Sequence, residues 1–389
     1  MTLQRVLVLA SVGLLPACSG ADADAPLSSA PRCSASPECA ATPDTPLCDQ
    51  ALGACVELPP GSAIGVKDGS PSSVALVSVF EPNRQREPTD LAFNPERPEE
   101  LWVVNRKDDS VIIITKPGAP DGSWVRLRDP AAAHFMDQPP AIAFGHPGTF
   151  GVCGDNDNGG NYFMGPSLFS SDLSIFATET PDGLGSHLDM LHSSSFCKGI
   201  AHEQANVYWV FNGNDKALDR YDFAHDHGPG HDDHSDGEIY RYAAGEVLGV
   251  EATPSHLFYS AREERLYVAD TGHKRLLKLD PTSGIPGASF DGQEPVKVRR
   301  HMDGATLIEF VPPGTLEAPS GLEVHEGLVY VTDHATSRIY AFDTAGQVVR
   351  TLDTGLPAGS LAGITFGPDG KLYLVDTLTS RVYRIDPIL

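Results

Sequence analysis

Histidine and aspartate crowd into two stretches of this 389-residue chain. The first is GLGSHLDMLHSSSFCKG, residues 183–199, with His187, Asp189 and His192. Asp155 and Asp157 precede it, and His256 follows at the start of an apolar run. Neutral imidazoles suit zinc, copper or iron, and carboxylates can complete the shell or act as a base. Such an ion would acidify a bound water or polarise a substrate oxygen. Asp189 or Asp157 would then serve as base and Tyr162 as proton donor. A second reading is that these groups simply bond loop backbone, because the His187-x4-His192 interval is not a diagnostic ligand spacing.

The second stretch, Asp222 to Gly237, holds four His and five Asp in sixteen residues. His225, His227 and His231 lead into Asp232, His234, Asp236, Gly237 and Ile239, which echo the start of an EF-hand calcium loop. The echo is incomplete. His234 replaces an oxygen ligand, and Ala243 stands where a bidentate Glu would close the shell. One expectation is a structural calcium ion pinning a long hairpin. The other is a solvated polar loop.

The seven cysteines divide by context. Cys33, Cys39, Cys48 and Cys55 are separated by five, eight and six residues, unlike the close pairs of a zinc site. Their Pro-, Ser- and Thr-rich surroundings lack core-forming side chains, so disulfides must hold residues 32–58 together. Of the three pairings, Cys33 with Cys48 and Cys39 with Cys55 is expected, an interleaved pattern common in small cysteine-rich modules. Cys153 and Cys197 are expected to staple two neighbouring elements.

These groups need a frame, and the chain shows one by repetition. ERLYVADTGHKRLLKLD (264–280), GLVYVTDHATSRIYAFD (327–343) and GKLYLVDTLTSRVYRID (370–386) each follow an apolar strand. Earlier copies begin near Pro88, Pro139 and Lys198, which makes six. Fourth strands follow several copies: SWVRLRD, EIYRY and VVRTLDT. The last copy lacks one, and VALVSVF (74–80) is unclaimed. Pairing those two ends predicts an all-β, six-bladed β-propeller over residues 70–389, closed by an N-terminal strand in the last blade.

Leu266-Tyr267-Val268-Ala269-Asp270-Thr271-Gly272-His273-Lys274-Arg275-Leu276 resembles the signature of the NHL-repeat family. Asp333 and Asp376 hold the Asp270 position in blades five and six, and Asn105 and Asn212 hold it in blades one and three. Turn-capping is the expected role of these side chains. The resemblance implies a propeller used either for binding or for catalysis. A more distant architectural likeness, to peptidyl-hydroxyglycine amidating lyase, implies a zinc-binding role for His256 and extends to no other residue. In such propellers the channel mouth collects the loops between blades. That places His187, Asp189, His192 and His256 together as one site, with the 222–237 loop on the opposite face as a separate one.

The N-terminus has its own pattern. Arg5, the apolar run Val6 to Leu15, and Leu15-Pro16-Ala17-Cys18 resemble a bacterial lipoprotein signal. This implies removal of residues 1–17, lipid (palmitate-type acyl chains) on Cys18, a flexible linker over 18–31, and attachment to the cell envelope outside the cytoplasm. The membrane would be met only through that anchor. A formal charge of -24 excludes nucleic acid as a natural partner. The resulting expectation is a monomeric, surface-tethered propeller that binds a small molecule, peptide or glycan at its mouth and holds divalent metal. The alternative is a metal-dependent lyase or hydrolase. A third reading makes the acidic shell an interaction surface for basic partners.

Overall fold

The computed structural model describes residues 32–389 except 40, 43, 83–85, 161, 162 and 232. The expectations for Cys18, its signal and linker, Tyr162 and Asp232 lie outside the described residues. Two compact units are present, one ending at Leu58 and one running from Pro59 to Leu389. No helix among the described residues is long and apolar enough to cross a membrane.

In the first unit, a 3-10 turn (Ser36–Cys39) precedes a hairpin of Leu47–Asp49 and Ala54–Val56, in which Cys48 and Cys55 face each other. Disulfides join Cys33 to Cys48 and Cys39 to Cys55, with Cα atoms 5.8 and 5.6 Å apart. The buried cluster here consists of these cysteines, so the cross-links take the place of an apolar core. Three of these sulfurs lie close enough to share a metal, but each is already in a disulfide and has no thiolate to offer.

The second unit is a six-bladed β-propeller. Each blade is a four-stranded antiparallel sheet, innermost strand first: 88–127 form blade one, 142–190 blade two, 197–242 blade three, 257–311 blade four and 319–353 blade five. Blade six uses Leu361–Phe366, Leu372–Asp376, Arg381–Pro387 and, as its outer strand, Val74–Phe80. The ring therefore closes where the unclaimed strand predicts.

Period-two alternation explains how blades stack. In blade one, Trp102, Val104 and Ile113 turn toward Phe150 and Phe169 of blade two. Leu101, Val103 and Ile112 turn the other way, toward Tyr373 and Val375 of blade six. One apolar cluster of this kind fills each of the six junctions. The repeated aspartates cap turns as expected. Asp333 accepts the Glu317, Ala318 and Thr336 N–H groups, and Asp376 accepts those of Leu378 and Thr379.

Blades two and three depart from the repeat. Residues 187–190, expected to be loop, form the outer strand of blade two and are wholly buried. Blade three gains two further strands: Val298–Asp303 runs parallel to Glu238–Tyr242, and Ile285–Ser289 pairs outside it. This hairpin is inserted between the third and outer strands of blade four, yet it adds to its neighbour's edge. The Cys153–Cys197 disulfide, with Cα atoms 5.9 Å apart, joins blades two and three.

That cross-link closes a loop of 44 residues, for which the chain-entropy estimate is about 4 kcal/mol. Replacing both cysteines by Ala should shift denaturant unfolding by an amount approaching that value. An unchanged midpoint would show that apolar packing alone fixes this junction.

Candidate functional sites: an acidic channel and a histidine-rich rim

The inner strands converge on the propeller axis, and their first residues are bound to one another. Thr89 Oγ1 donates to the Pro139 carbonyl (2.7 Å) and the His256 N–H to Ser320 (3.0 Å), while Thr332 Oγ1, from the second strand of blade five, donates to Ala362 (2.6 Å). A Cβ on Gly199 or Gly321 would overlap the Ser255 or Ala362 carbonyl, so glycine is required for this approach. Beyond these ties lies a cavity of about 330 Å³ lined by inner-strand residues of all six blades.

His256 belongs to this channel. Its Nε2–H donates to the Pro140 carbonyl (3.1 Å) and its Nδ1 lies 3.5 Å from Asp90 Oδ1. Asp90 Oδ2 accepts the Ile142 N–H (3.0 Å). Glu323, from blade five, is surrounded by protein but keeps contact with the cavity, and burial followed by the Asp90 charge pushes its carboxyl up to about 8. Burial also raises Asp90, against the opposing pull of His256. Among the described residues no Lys or Arg lines the cavity; its other walls include Phe93, Phe144, Phe258 and Phe366. Sequence reading missed Asp90 and Glu323 because each sits inside an otherwise ordinary apolar strand.

The other expected residues are elsewhere. Asp155 is held by Lys198 Nζ (2.6 Å) and Arg106 Nη1 (3.4 Å) beside a second, charged pocket of about 430 Å³. Asp157 accepts the Ser195 hydroxyl (2.8 Å). His187 and Asp189 lie on the outer strand of blade two and His192 just past its end. The single four-residue mouth site is therefore corrected: innermost and outermost positions of different blades cannot share one face of the channel, and His256 is separated from the other three.

The 222–237 loop requires a second correction. It is not remote from His187, because the His227 N–H donates to the Leu188 carbonyl (3.1 Å) and the Gly230 N–H to the His187 carbonyl (2.8 Å). The loop thus continues the edge of blade two. Within it, Asp236 contacts His225 Nδ1 (3.1 Å) and His227 Nε2 (3.2 Å), and Asp233 accepts the Ser235 N–H (3.0 Å). The Asp233 and Asp236 carboxylates are thus engaged with backbone and imidazole. His231 closes a turn by donating its N–H to Gly228 (3.2 Å), and the His234 ring stands 5.4 Å from that of His192.

No family model matches the sequence, and no curated protein does. Solved structures match in fold. A protein of unknown function from Bacteroides thetaiotaomicron has 13% identity and a TM-score of 0.54, covering 80% of this chain and 75% of that one. Virginiamycin B lyase from Staphylococcus aureus has 13% identity and a TM-score of 0.51, covering 81% and 100%. An auxiliary nutrient binding protein from Bacteroides thetaiotaomicron has 12% identity and a TM-score of 0.50, covering 77% and 69%. The class defined here is thus the six-bladed β-propeller implied by the NHL resemblance. At these identities the likeness concerns fold alone.

Glu323 holds its proton in the fold to about pH 8, whereas an unfolded chain releases it near ~4.3. Its contribution to stability is therefore complete below that lower value and is lost as pH rises through 8. Glu323→Gln, which stays neutral, should raise the melting temperature over wild type by a few degrees at pH 9 and change it little at pH 4. An equal offset at both values would contradict the assignment.

Proposed function

We propose that this protein is a lipid-anchored, extracytoplasmic binding protein whose propeller channel holds a small organic cation. The carrying observation is the composition of the cavity: Asp90 and Glu323 line it, no Lys or Arg among the described residues lines it with them, and phenylalanines form its walls. Burying carboxylates without counter-charge is costly, and both are raised by burial. An ammonium ion supplies the missing charge, and aromatic walls favour its quaternary forms. The fold itself does not choose between binding and chemistry, since a lyase and a nutrient binding protein both share it.

The anchoring half of the proposal rests on the Leu15-Pro16-Ala17-Cys18 pattern and the linker composition after it. An oxidising compartment agrees with three disulfides. Removal of residues 1–17 and acylation of Cys18 would leave the propeller in water on a flexible tether.

Calorimetric titration with choline, whose charge is independent of pH, tests the channel. Binding should be tighter at pH 9 than at pH 6, because below about 8 the ligand must displace the Glu323 proton. Glu323→Gln should weaken binding at pH 9 at least tenfold and remove most of the pH dependence. Choline binding that is absent at both pH values, or unaffected by the substitution, would overturn the proposal.

A further inference from the structure

The pocket of about 430 Å³ beside Asp155 lies at the end of the wheel where the inner strands begin, and it shares no lining residue with the channel. Three blades build its charged wall. Arg106 follows the second strand of blade one, Asp155 follows that of blade two, and Lys198 is on the inner strand of blade three. The Cys153–Cys197 disulfide sets the last two against each other, since Asp155 lies just beyond one cysteine and Lys198 is next to the other.

Asp155 meets both cations with separate oxygens: Oδ1 accepts from Lys198 Nζ (2.6 Å), and Oδ2 lies 3.4 Å from Arg106 Nη1. One carboxylate therefore faces two positive charges. The side chains of Lys198 and Asp155 are 7% and 4% exposed and that of Arg106 15%, so water screens the surplus poorly. Burial raises the Asp155 carboxyl even against the pull of Lys198 and Arg106. Donors are in surplus as well, because an ammonium carries three N–H groups and a guanidinium five. Among the described residues, Lys198 Nζ uses one, on Asp155, and Arg106 adds only the Gln138 side-chain oxygen through Nη2 (3.1 Å). Glu251 also lines the pocket, but it is exposed at the rim, where water weakens its field.

The rest of the rim is apolar. Phe196 and Val250 line the pocket and are 41% and 40% exposed, unusual for side chains of this size and type. Phe196 also has a left-handed backbone, with φ 53°, which a bulky residue rarely adopts. Its N–H donates to the Asn156 carbonyl (3.0 Å) and its carbonyl accepts the Gly213 N–H (3.1 Å), so the neighbouring turns hold it there. Backbone conformations over-determined in this way cluster at ligand clamps.

We propose that this pocket binds a small organic acid, with its carboxylate on Arg106 and Lys198 and an apolar group against Phe196 and Val250. The planar guanidinium matches the two oxygens of a carboxylate, and Lys198 adds a point charge beside it. An inorganic anion would leave the two apolar side chains uncovered. A neutral ligand would leave the surplus charge unmet. Glu251 disfavours a second negative charge, so monocarboxylates fit better than dicarboxylates. Because the pocket and the channel share no residue, either proposal can fail without the other.

Calorimetric titration with phenylacetate, which carries one carboxylate and one ring, is the test. Saturable binding at one site per chain, weakened by salt, is the expected result. Arg106→Gln should weaken it at least tenfold, and Phe196→Ala should weaken it severalfold. Glu251→Gln should tighten it, a gain that a purely structural role would not produce. Lys274→Ala removes a positive charge from a side chain that is 54% exposed elsewhere and should change nothing. The Arg106, Phe196 and Glu251 variants all keep the buried Asp155–Lys198 pair, and circular dichroism checks that they fold. No saturable binding at millimolar phenylacetate, tighter binding of inorganic phosphate than of phenylacetate, affinity unmoved by Arg106→Gln and Phe196→Ala, or weakening by Glu251→Gln would overturn the proposal.

Discussion

A ring of sheets has no free end only if its first and last strands meet. Here Val74–Phe80 lies along Arg381–Pro387, with Leu76 opposite Ile385 and Ser78 opposite Tyr383. That pairing turns a linear series of hairpins into a closed wheel and removes the seam where an edge would be left open. Closure also sets the radius. Once six apolar junctions are filled, the inner strands stand close enough for Gly199 and Gly321 to be required, and the remaining axial space is the small cavity beside Asp90 and Glu323.

The two polar sites are different consequences of that wheel. The channel is common ground for all blades, with Asp90 buried in it and Glu323 partly exposed. Burial pushes both carboxyls upward, the Asp90 charge adds to the rise of Glu323, and His256 with the Ile142 and Leu91 backbone opposes the rise of Asp90. The rim is private to blades two and three, where insertions can grow without disturbing closure. Blade two lengthens its loops, blade three extends the 222–237 connection, and blade four contributes a hairpin that covers the outer edge of blade three. Their polar groups meet because each insertion seeks the same exposed sheet edge.

Repetition made the wheel legible. Three closely similar runs centred on Asp270, Asp333 and Asp376 fixed the strand period, and a missing fourth strand at one end matched a surplus strand at the other. Cysteine spacing and compartment likewise led to all three disulfides seen. Position around the ring was harder to read. His187 and Asp189 sit in a four-residue strand, too short for its alternation to stand out from the serines that follow. The hairpin around Ile285–Ser289 contains Pro286 and Gly287 and is largely exposed, so it carries no apolar period. Glu294 and His134 gave no signal at all, since their partners are distant in sequence and only the folded rim brings them together.

The central claim is that the propeller axis is a cation-binding channel set by Asp90, Glu323 and the phenylalanines around them. A crystal structure of the protein soaked with choline at pH 9 tests this most directly. The account predicts one choline in the channel, with its ammonium group beside Asp90 and Glu323. A channel that stays free of choline at a saturating concentration would contradict it.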